Sequence, residues 1–433
     1  LDEEASVFAW ALDAEIHQPQ PSDSVDTTGL DVLQADVAAA VAGQDRLVLA
    51  VGPAGTGKTT TLRAAADDIW RADRIVFGLA PSAKAARVLE RETGIPSDTV
   101  HKLLYEHLQT ERPPNARYQL PPGATVIVDE AGMLGTASLA QLAALAEQHR
   151  WRVVLIGDPH QLQAVGRGGM FHELCATGRT LELQKIHRFT NAWEAAASLQ
   201  LRRGDPDAID TYIDQGRICA GPFDEHIDAI AGAWVFFDGN GDSVAITAST
   251  NEHVDRINQA IQRRRFAGHR IDPADKAVIA DGAIAHVGDR VVTRGNDRTL
   301  TTTTGEPVRN RDLWTVSAIH PDGSMTVDSQ LDAGTVTLPF DYIHQHVQLG
   351  YAATEHGNQG DTVTIGMELA TPATSRRGLY VGATRGRTLN MIHVVSETSD
   401  REEARSVLRG ILANDRVDLP ALAQRRELAQ AVP

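Results

Sequence analysis

Cysteine is nearly absent: the 433 residues contain two, Cys175 and Cys219. Two thiols without metal-ligand spacing supply neither a disulfide framework nor a zinc site. Both read as small buried residues in a protein of a reducing, cytoplasmic compartment. Long apolar runs are missing as well. No stretch reaches the roughly eighteen residues of a membrane-spanning helix. The opening "LDEEASVFAWALDAEIHQPQ" has neither the basic start nor the small-residue cleavage pattern of a secretory signal. A soluble protein without membrane insertion is expected. Positive charge is in the minority, with 41 Lys and Arg against 57 Asp and Glu and a net charge of −16. That balance argues against indiscriminate coating of nucleic acid, yet a local basic groove on an acidic body stays compatible with DNA binding.

What the sequence does have is "GPAGTGKT" at 52–59. Gly52, four residues, then Gly57, Lys58 and Thr59 make the full phosphate-loop spacing. "RLVLAV" (46–51) before it is apolar and rich in strand formers, and "TTTLRAAADDIW" (59–70) after it carries Leu62, Ala65, Ala66 and Ile69 at helical spacing. Strand, loop and helix therefore stand in the required order. The glycines let the backbone approach phosphates, the helix N-terminus offers free N–H groups, and Lys58 reaches the outer phosphates. The expected nucleotide contacts are Gly52, Pro53, Ala54, Gly55, Thr56, Gly57, Lys58, Thr59 and Thr60, with the Thr59 hydroxyl on Mg²⁺.

"TVIVDEAGML" (125–134) ends an apolar strand with Asp129 and Glu130, 71 residues after Lys58. Asp129 suits Mg²⁺ and its waters, and Glu130 suits a general base that polarises the attacking water. "VVLIGDPHQLQAVGRGGMF" (153–171) ends another strand, and its neutral Gln161 can bond both phosphate and water, sensing the γ-phosphate.

The chain alternates strands and helices from a helix at 30–43, ended by Gly43, through "RIVFGL", "TVIVDE", "WRVVLIGD" and "TLEL". A second alternating series follows from about 190, with "SVAITAS" (243–249), a helix at 251–265, "TVTIGMEL" (362–369), a helix through 375–387 and "MIHVVS" (391–396). Such alternation predicts doubly wound parallel sheets. Between its parts, residues 285–343 are short strands with Asn, Asp and Gly turns, the pattern of a small β-barrel. The expected division is an N-terminal extension and linker at 1–29, a first domain at 30–188, a second at 189–284 and 344–413, the insertion at 285–343 and a tail at 414–433. A Pro-rich surface excursion is expected at 103–124, and Ser399 with Glu402 reads as a capping box for a final helix.

The ordered blocks "GPAGTGKTT", "GLAPSAKAARVL", "TVHKLL", "IVDEAGML", "IGDPHQLQAVGRGG", "LQKIHRF", "GYAATEHGNQGDTV" and "LYVGATRGR" resemble superfamily 1 DNA helicases of the RecD-like type. The resemblance extends to the helicase part of conjugative relaxases and covers about 30–396. It implies two RecA-like domains with an SH3-like β-barrel insertion, an ATP- and Mg²⁺-dependent motor on single-stranded DNA, 5′ to 3′ movement, and partners in conjugation or DNA repair. It also implies that Gln34 reads adenine, that Gln161 couples phosphate state to DNA, that Arg188 and Arg385 approach the γ-phosphate, and that Gly360 belongs with the nucleotide contacts. Single-stranded DNA would meet Ser82 and Lys84, His101, and Thr354 and His356. An arginine such as Arg385 neutralises charge on the transferred phosphoryl group and is worth roughly 10³ to 10⁵ in turnover.

Four features depart from the family pattern or stay open. "HGNQG" places Gly357 where the family carries a basic residue, which removes one candidate phosphate contact. The excursion at 103–124 stands where the family has a strand-separating pin and is short, so translocation is better supported than efficient unwinding. A DNA-binding ATPase or degenerate helicase module is the rival reading. Trp314 could stack a base or fill the barrel core, and "QRRRFAGHR" (262–270) is either a DNA contact or a solvated helix end.

Overall fold

The structure is a computed structural model that describes residues 2–415 except 17, 110, 165, 269, 270, 332 and 333, together with 420 and 421. Val165, His269, Arg270 and most of the expected tail at 414–433 lie outside the described residues. The chain divides into two compact units, one running to Phe189 and the other spanning Thr190–Asp415.

The first unit runs α1 (Asp2–Ala14), α2 (Val32–Ala42), β1 (Leu47–Val51), α3 (Lys58–Arg71), β2 (Val76–Ala80), α4 (Ala83–Thr93), β3 (Ser97–Thr99), α5 (Val100–Leu108), β4 (Thr125–Val128), α6 (Thr136–His149), β5 (Arg152–Gly157), α7 (Met170–Thr177) and β6 (Thr180–Glu182). Its six strands pair in the order β3-β2-β4-β5-β1-β6, all parallel. A parallel sheet is covered on both faces, which is why "LVLAV" and "TVIV" are buried at every position instead of alternating. One face packs Val37, Leu62, Ile69 and Leu89 from α2, α3 and α4. The other packs Leu103, Leu142 and Met170 from α5, α6 and α7, together with α1. Parallel connection brings all the strand C-termini to one edge, and every first-unit motif lies there.

Residues 1–29 are more than a linker. Val7, Trp10, Ala11 and Ala14, at a helical i, i+3, i+4, i+7 spacing, are buried in the core. The Pro- and Ser-rich stretch behind them is a strap, since Ser22 and Ser24 donate hydroxyl bonds to the buried Asp68 carboxylate of α3 at 2.7 and 2.8 Å. Trp10→Ala should therefore cost about 3–5 kcal/mol of stability. A urea midpoint unchanged by that substitution would show α1 to be a passive appendage.

The second unit runs α8 (Ala192–Arg203), α9 (Asp207–Asp214), β7 (Ile218–Gly221), α10 (Phe223–Gly239), β8 (Val244–Ala248), α11 (Asn251–Ala267), β9 (Asp272–Val278), β10 (Ile284–Val287), β11 (Arg290–Thr293), β12 (Asp297–Thr301), β13 (Pro307–Val308), β14 (Leu313–Ile319), β15 (Met325–Ser329), β16 (Thr335–Leu338), α12 (Phe340–His346), β17 (Val347–Leu349), β18 (Ala353–Thr354), α13 (Glu355–Asn358), β19 (Val363–Ala370), α14 (Arg376–Gly382), β20 (Gly386–Val395) and α15 (Arg401–Ala413). The parallel sheet has the order β18-β8-β19-β20-β7. The insertion is a separate antiparallel sheet, β16-β15-β14-β11-β17, flanked by the β9-β10 and β12-β13 hairpins. Trp314 is fully buried in it, and its indole N–H donates to the Thr293 hydroxyl at 3.2 Å, so it fills the core.

Two local expectations are corrected. The helix expected through 375–387 stops at Gly382, so Arg385 lies in the turn leading into β20 and not on a helix. The Ser399–Glu402 capping box does not form. Asp400 is the N-cap of α15, its carboxylate accepting the Glu402 N–H at 3.2 Å, because Glu403 instead reaches back to the Glu397 and Thr398 N–H groups.

Candidate nucleotide and nucleic-acid site

The phosphate loop links the end of β1 to the start of α3. Its entry is tied to the neighbouring strand by Gly52 N–H donating to Gly157 O at 2.8 Å, and Thr56 folds back on Pro53 O through its hydroxyl at 2.9 Å. Gly55 (φ 82°) and Gly57 (φ 77°) hold left-handed conformations. A Cβ at Gly55 would sit 2.4 Å from the Arg188 Cβ, and one at Gly57 would sit 2.5 Å from Gln34 Nε2. The loop is thus cast against Arg188 on one side and Gln34 on the other. Lys58 opens α3, whose first turn presents unpaired N–H groups at the loop, and its side chain passes over Gly52, where a Cβ would sit 2.6 Å from the Lys58 Cγ.

β4 delivers Asp129 and Glu130 beside the loop. Lys58 Nζ lies 3.7 Å from Glu130 Oε1, with both side chains mostly covered. Glu130 is left-handed (φ 50°), an uncommon conformation for a non-glycine residue, and its N–H is held by Asp129 Oδ1 at 2.8 Å. Burial works against the charge on Lys58, but Glu130, Asp129 and Asp158 outweigh it and hold the ammonium above its ordinary range. Burial also pushes the Asp129 carboxyl up to about 6, with Lys58 pulling it back and Glu130 adding to the rise. A Thr hydroxyl, carboxylates and a lysine facing a glycine cradle form a hard-oxygen donor set that fits Mg²⁺ with a triphosphate. Thr59 and Asp129 would hold the ion.

Gln34, Gln161 and Arg188 belong to the same unit. Gln34 is third in α2 and completes a capping box with Asp31, its Oε1 accepting the Asp31 N–H at 3.0 Å while its Nε2 donates to Thr56 O at 2.9 Å. Those two bonds leave one lone pair and one N–H on the amide. Gln161 is buried after β5, its N–H donated to Asp158 O. Ser82 caps α4, accepting the Ala85 N–H at 3.1 Å, with Lys84 half-buried two residues on. His101 is exposed in the first turn of α5. The sequence reading missed Asp31 and His187. The His187 ring lies 3.1 Å from the Asp31 carboxylate, and the His187 N–H donates to Gly55 O at 2.7 Å, so the segment carrying Arg188 is pinned to the loop.

The second unit carries the remaining residues. Thr354 and His356 are half-buried around the start of α13, and Gly360 follows in a left-handed turn. Arg385 is 1% exposed, donating its guanidinium to the carbonyls of Val381, Asn358 and Asp361 at 2.7 to 3.4 Å. These bonds fix it to the 358–361 turn. The two cysteines are half-buried, and burial raises both thiols, Cys175 to about 12. No helix among the described residues is long and apolar enough to cross a membrane.

Residues 29–222 match the AAA domain family. The chain is 28% identical over 389 residues to the conjugal transfer protein TraA of Agrobacterium fabrum, covering 87% of this chain and 34% of that protein. It is 31% identical over 369 residues to the ATP-dependent RecD2 DNA helicase of Deinococcus radiodurans, covering 83% and 48%. The chain thus spans about a third of the conjugal transfer proteins it matches. In fold it is similar to Bacteroides Pif1 bound to single-stranded DNA, with a TM-score of 0.58 at 18% identity over 92% of this chain and 96% of that one. In its motif order, its phosphate loop and these likenesses, the chain is similar to the RecD-like helicases of superfamily 1.

Proposed function

We propose that this chain is an ATP- and Mg²⁺-dependent motor that moves along single-stranded DNA in the 5′ to 3′ direction and serves conjugation or DNA repair. The observation that carries the reading is the placement of Lys58 against Glu130, beside Asp129, at the C-terminal edge of a parallel sheet that also presents Ser82 and His101. Mg²⁺ held by Thr59 and Asp129 would neutralise phosphate charge and orient the outer phosphates. Lys58 supplies positive charge to the transferred group and Glu130 takes the proton of the attacking water. Gln161 reports the phosphate state, Arg188 meets charge on the γ-phosphate, and Gln34 uses its remaining lone pair and N–H on adenine.

The rival reading, a DNA-binding ATPase or degenerate helicase module without processive unwinding, draws on the excursion. Its described residues hold α5 and a short 3₁₀ turn at Ala116–Tyr118 but no hairpin. The buried Glu106 carboxylate draws Lys102, Arg112 and the Asn115 N–H together, which fastens the excursion to α5.

Steady-state ATP hydrolysis with and without a single-stranded oligonucleotide, using Glu130→Gln as the blank, tests the proposal. Strong stimulation by the oligonucleotide that disappears in the variant is expected. Hydrolysis indifferent to DNA, or equal in the variant, overturns the motor reading.

A further inference from the structure

The turn 354–358 has no basic side chain in the position where "HGNQG" offers Gly357. A Cβ there would sit 2.9 Å from the Ala353 Cβ, so a lysine could not be carried at 357 without moving the backbone. Positive charge reaches this turn from the antiparallel insertion instead. Arg311 donates from its guanidinium to the His356 carbonyl at 2.5 Å. Its backbone is left-handed (φ 71°), costly for arginine, and is fixed by the Arg311 N–H bond to Thr293 O at 2.6 Å. That bond places Arg311 beside the chain at Arg294, which leaves β11 exposed to solvent. The Arg294 charge stands near enough to act on the Arg311 guanidinium, so the two arginines sit at one corner of the second unit.

We propose that Arg311 and Arg294 form a cationic seat for the phosphodiester backbone of single-stranded DNA beside the 354–358 turn. The inference rests on the reading of the chain as a single-stranded DNA motor and adds to it residues that bring positive charge to a turn whose position 357 is glycine. The bond to His356 O uses one of the five N–H groups of Arg311, and the remainder keep the fork geometry that suits phosphate oxygens. Burial depresses the Arg311 pKa, and the neighbouring Arg294 charge depresses it further, with Asp361 opposing. Two like charges crowded at a partly covered corner are relieved by an anion, and a phosphate between them supplies it. His356 and Thr354, on the same turn, fix where that phosphate lies relative to α13.

Binding of a fluorescein-labelled oligothymidylate, followed by anisotropy across a salt series, reads the number of phosphates neutralised. Each lost contact lowers the magnitude of the slope of log affinity against log salt by ~0.7 for a single strand. Arg294→Ala, at an exposed position, and Arg311→Gly, which suits the left-handed backbone, should each show that decrement, and the double variant about twice it. Melting curves matching the native protein keep loss of fold out of the comparison, and if Arg311→Gly melts early, Arg294→Ala decides alone. Slopes unchanged in folded variants overturn this seat while leaving the motor reading intact. Failure of the native chain to bind the oligonucleotide removes both.

Discussion

Lys58→Ala is expected to lower ATP turnover by roughly 10³-fold while single-stranded DNA binding persists. Two losses combine. The first is the positive charge that stabilises the transferred phosphoryl group, in a site where 14% exposure of the lysine side chain leaves little water to replace it. The second is local: Glu130, Asp129 and Asp158 all act on this ammonium. Without it the three carboxylates repel one another beside an incoming polyanion, so nucleotide binding weakens together with turnover. The residues assigned to DNA lie on other connections, with Ser82 heading α4 and His101 in α5. A coupled hydrolysis assay beside anisotropy with a labelled oligonucleotide separates the two activities. Turnover within tenfold of the native protein would remove Lys58 from catalysis, and parallel loss of DNA binding would mean that the substitution has damaged the unit.

How far these properties were legible in the sequence follows from the range of the forces involved. The phosphate loop, the Asp129–Glu130 pair and most parallel strands are written locally, in spacing and in fully apolar runs, and the structure gathers them on one edge. β3 is three residues, "SDT", too short to carry a period, and is strand only because β2 pairs with it. The helix expected through 387 fails after Gly382 because the chain must turn there to start β20, whose first residue, Gly386, donates its N–H to the Asn390 side-chain oxygen. The stripe of Val7, Trp10, Ala11 and Ala14 is legible at helical spacing, but the polar stretch that follows is held by Asp68, more than forty residues on, which no local pattern shows. Arg311 could not be found this way: it acts 45 residues from His356 and only the insertion's strand pairing brings them together. The same holds for the pairing of Asp31 with His187, 156 residues apart.

A pair of acids in the second unit gives the other large effect. Glu368 lies on β19 with no exposure, and neither carboxylate oxygen has a hydrogen-bond partner. Glu355, first in α13, is 8% exposed. Both are packed against α14, where a Cβ on Gly378 would strike the Glu355 carboxylate and one on Gly382 would strike that of Glu368. Burial pushes Glu355 up to about 7, a Ser249 hydroxyl opposing it, and burial with the Glu355 charge raises Glu368 well above the usual carboxylate range. A carboxyl raised on folding binds more protons folded than unfolded. Its contribution to stability is therefore complete below about 4.5 and is lost as pH rises through the folded value, about 7 for Glu355. That loss amounts to about 3 kcal/mol at pH 8 for Glu355 alone, and Glu368 adds to it in the same direction. Glu355→Gln and Glu368→Gln keep the shape without the charge. Each should gain stability over the native chain at pH 8 and little or none at pH 5, measured as urea midpoints or as melting temperatures. A variant whose difference from the native chain is the same at both pH values would show that these carboxyls ionise freely in the folded protein. In that case α14 and the turn that carries Arg385 are held by packing alone, with no proton on Glu368 needed to keep them seated.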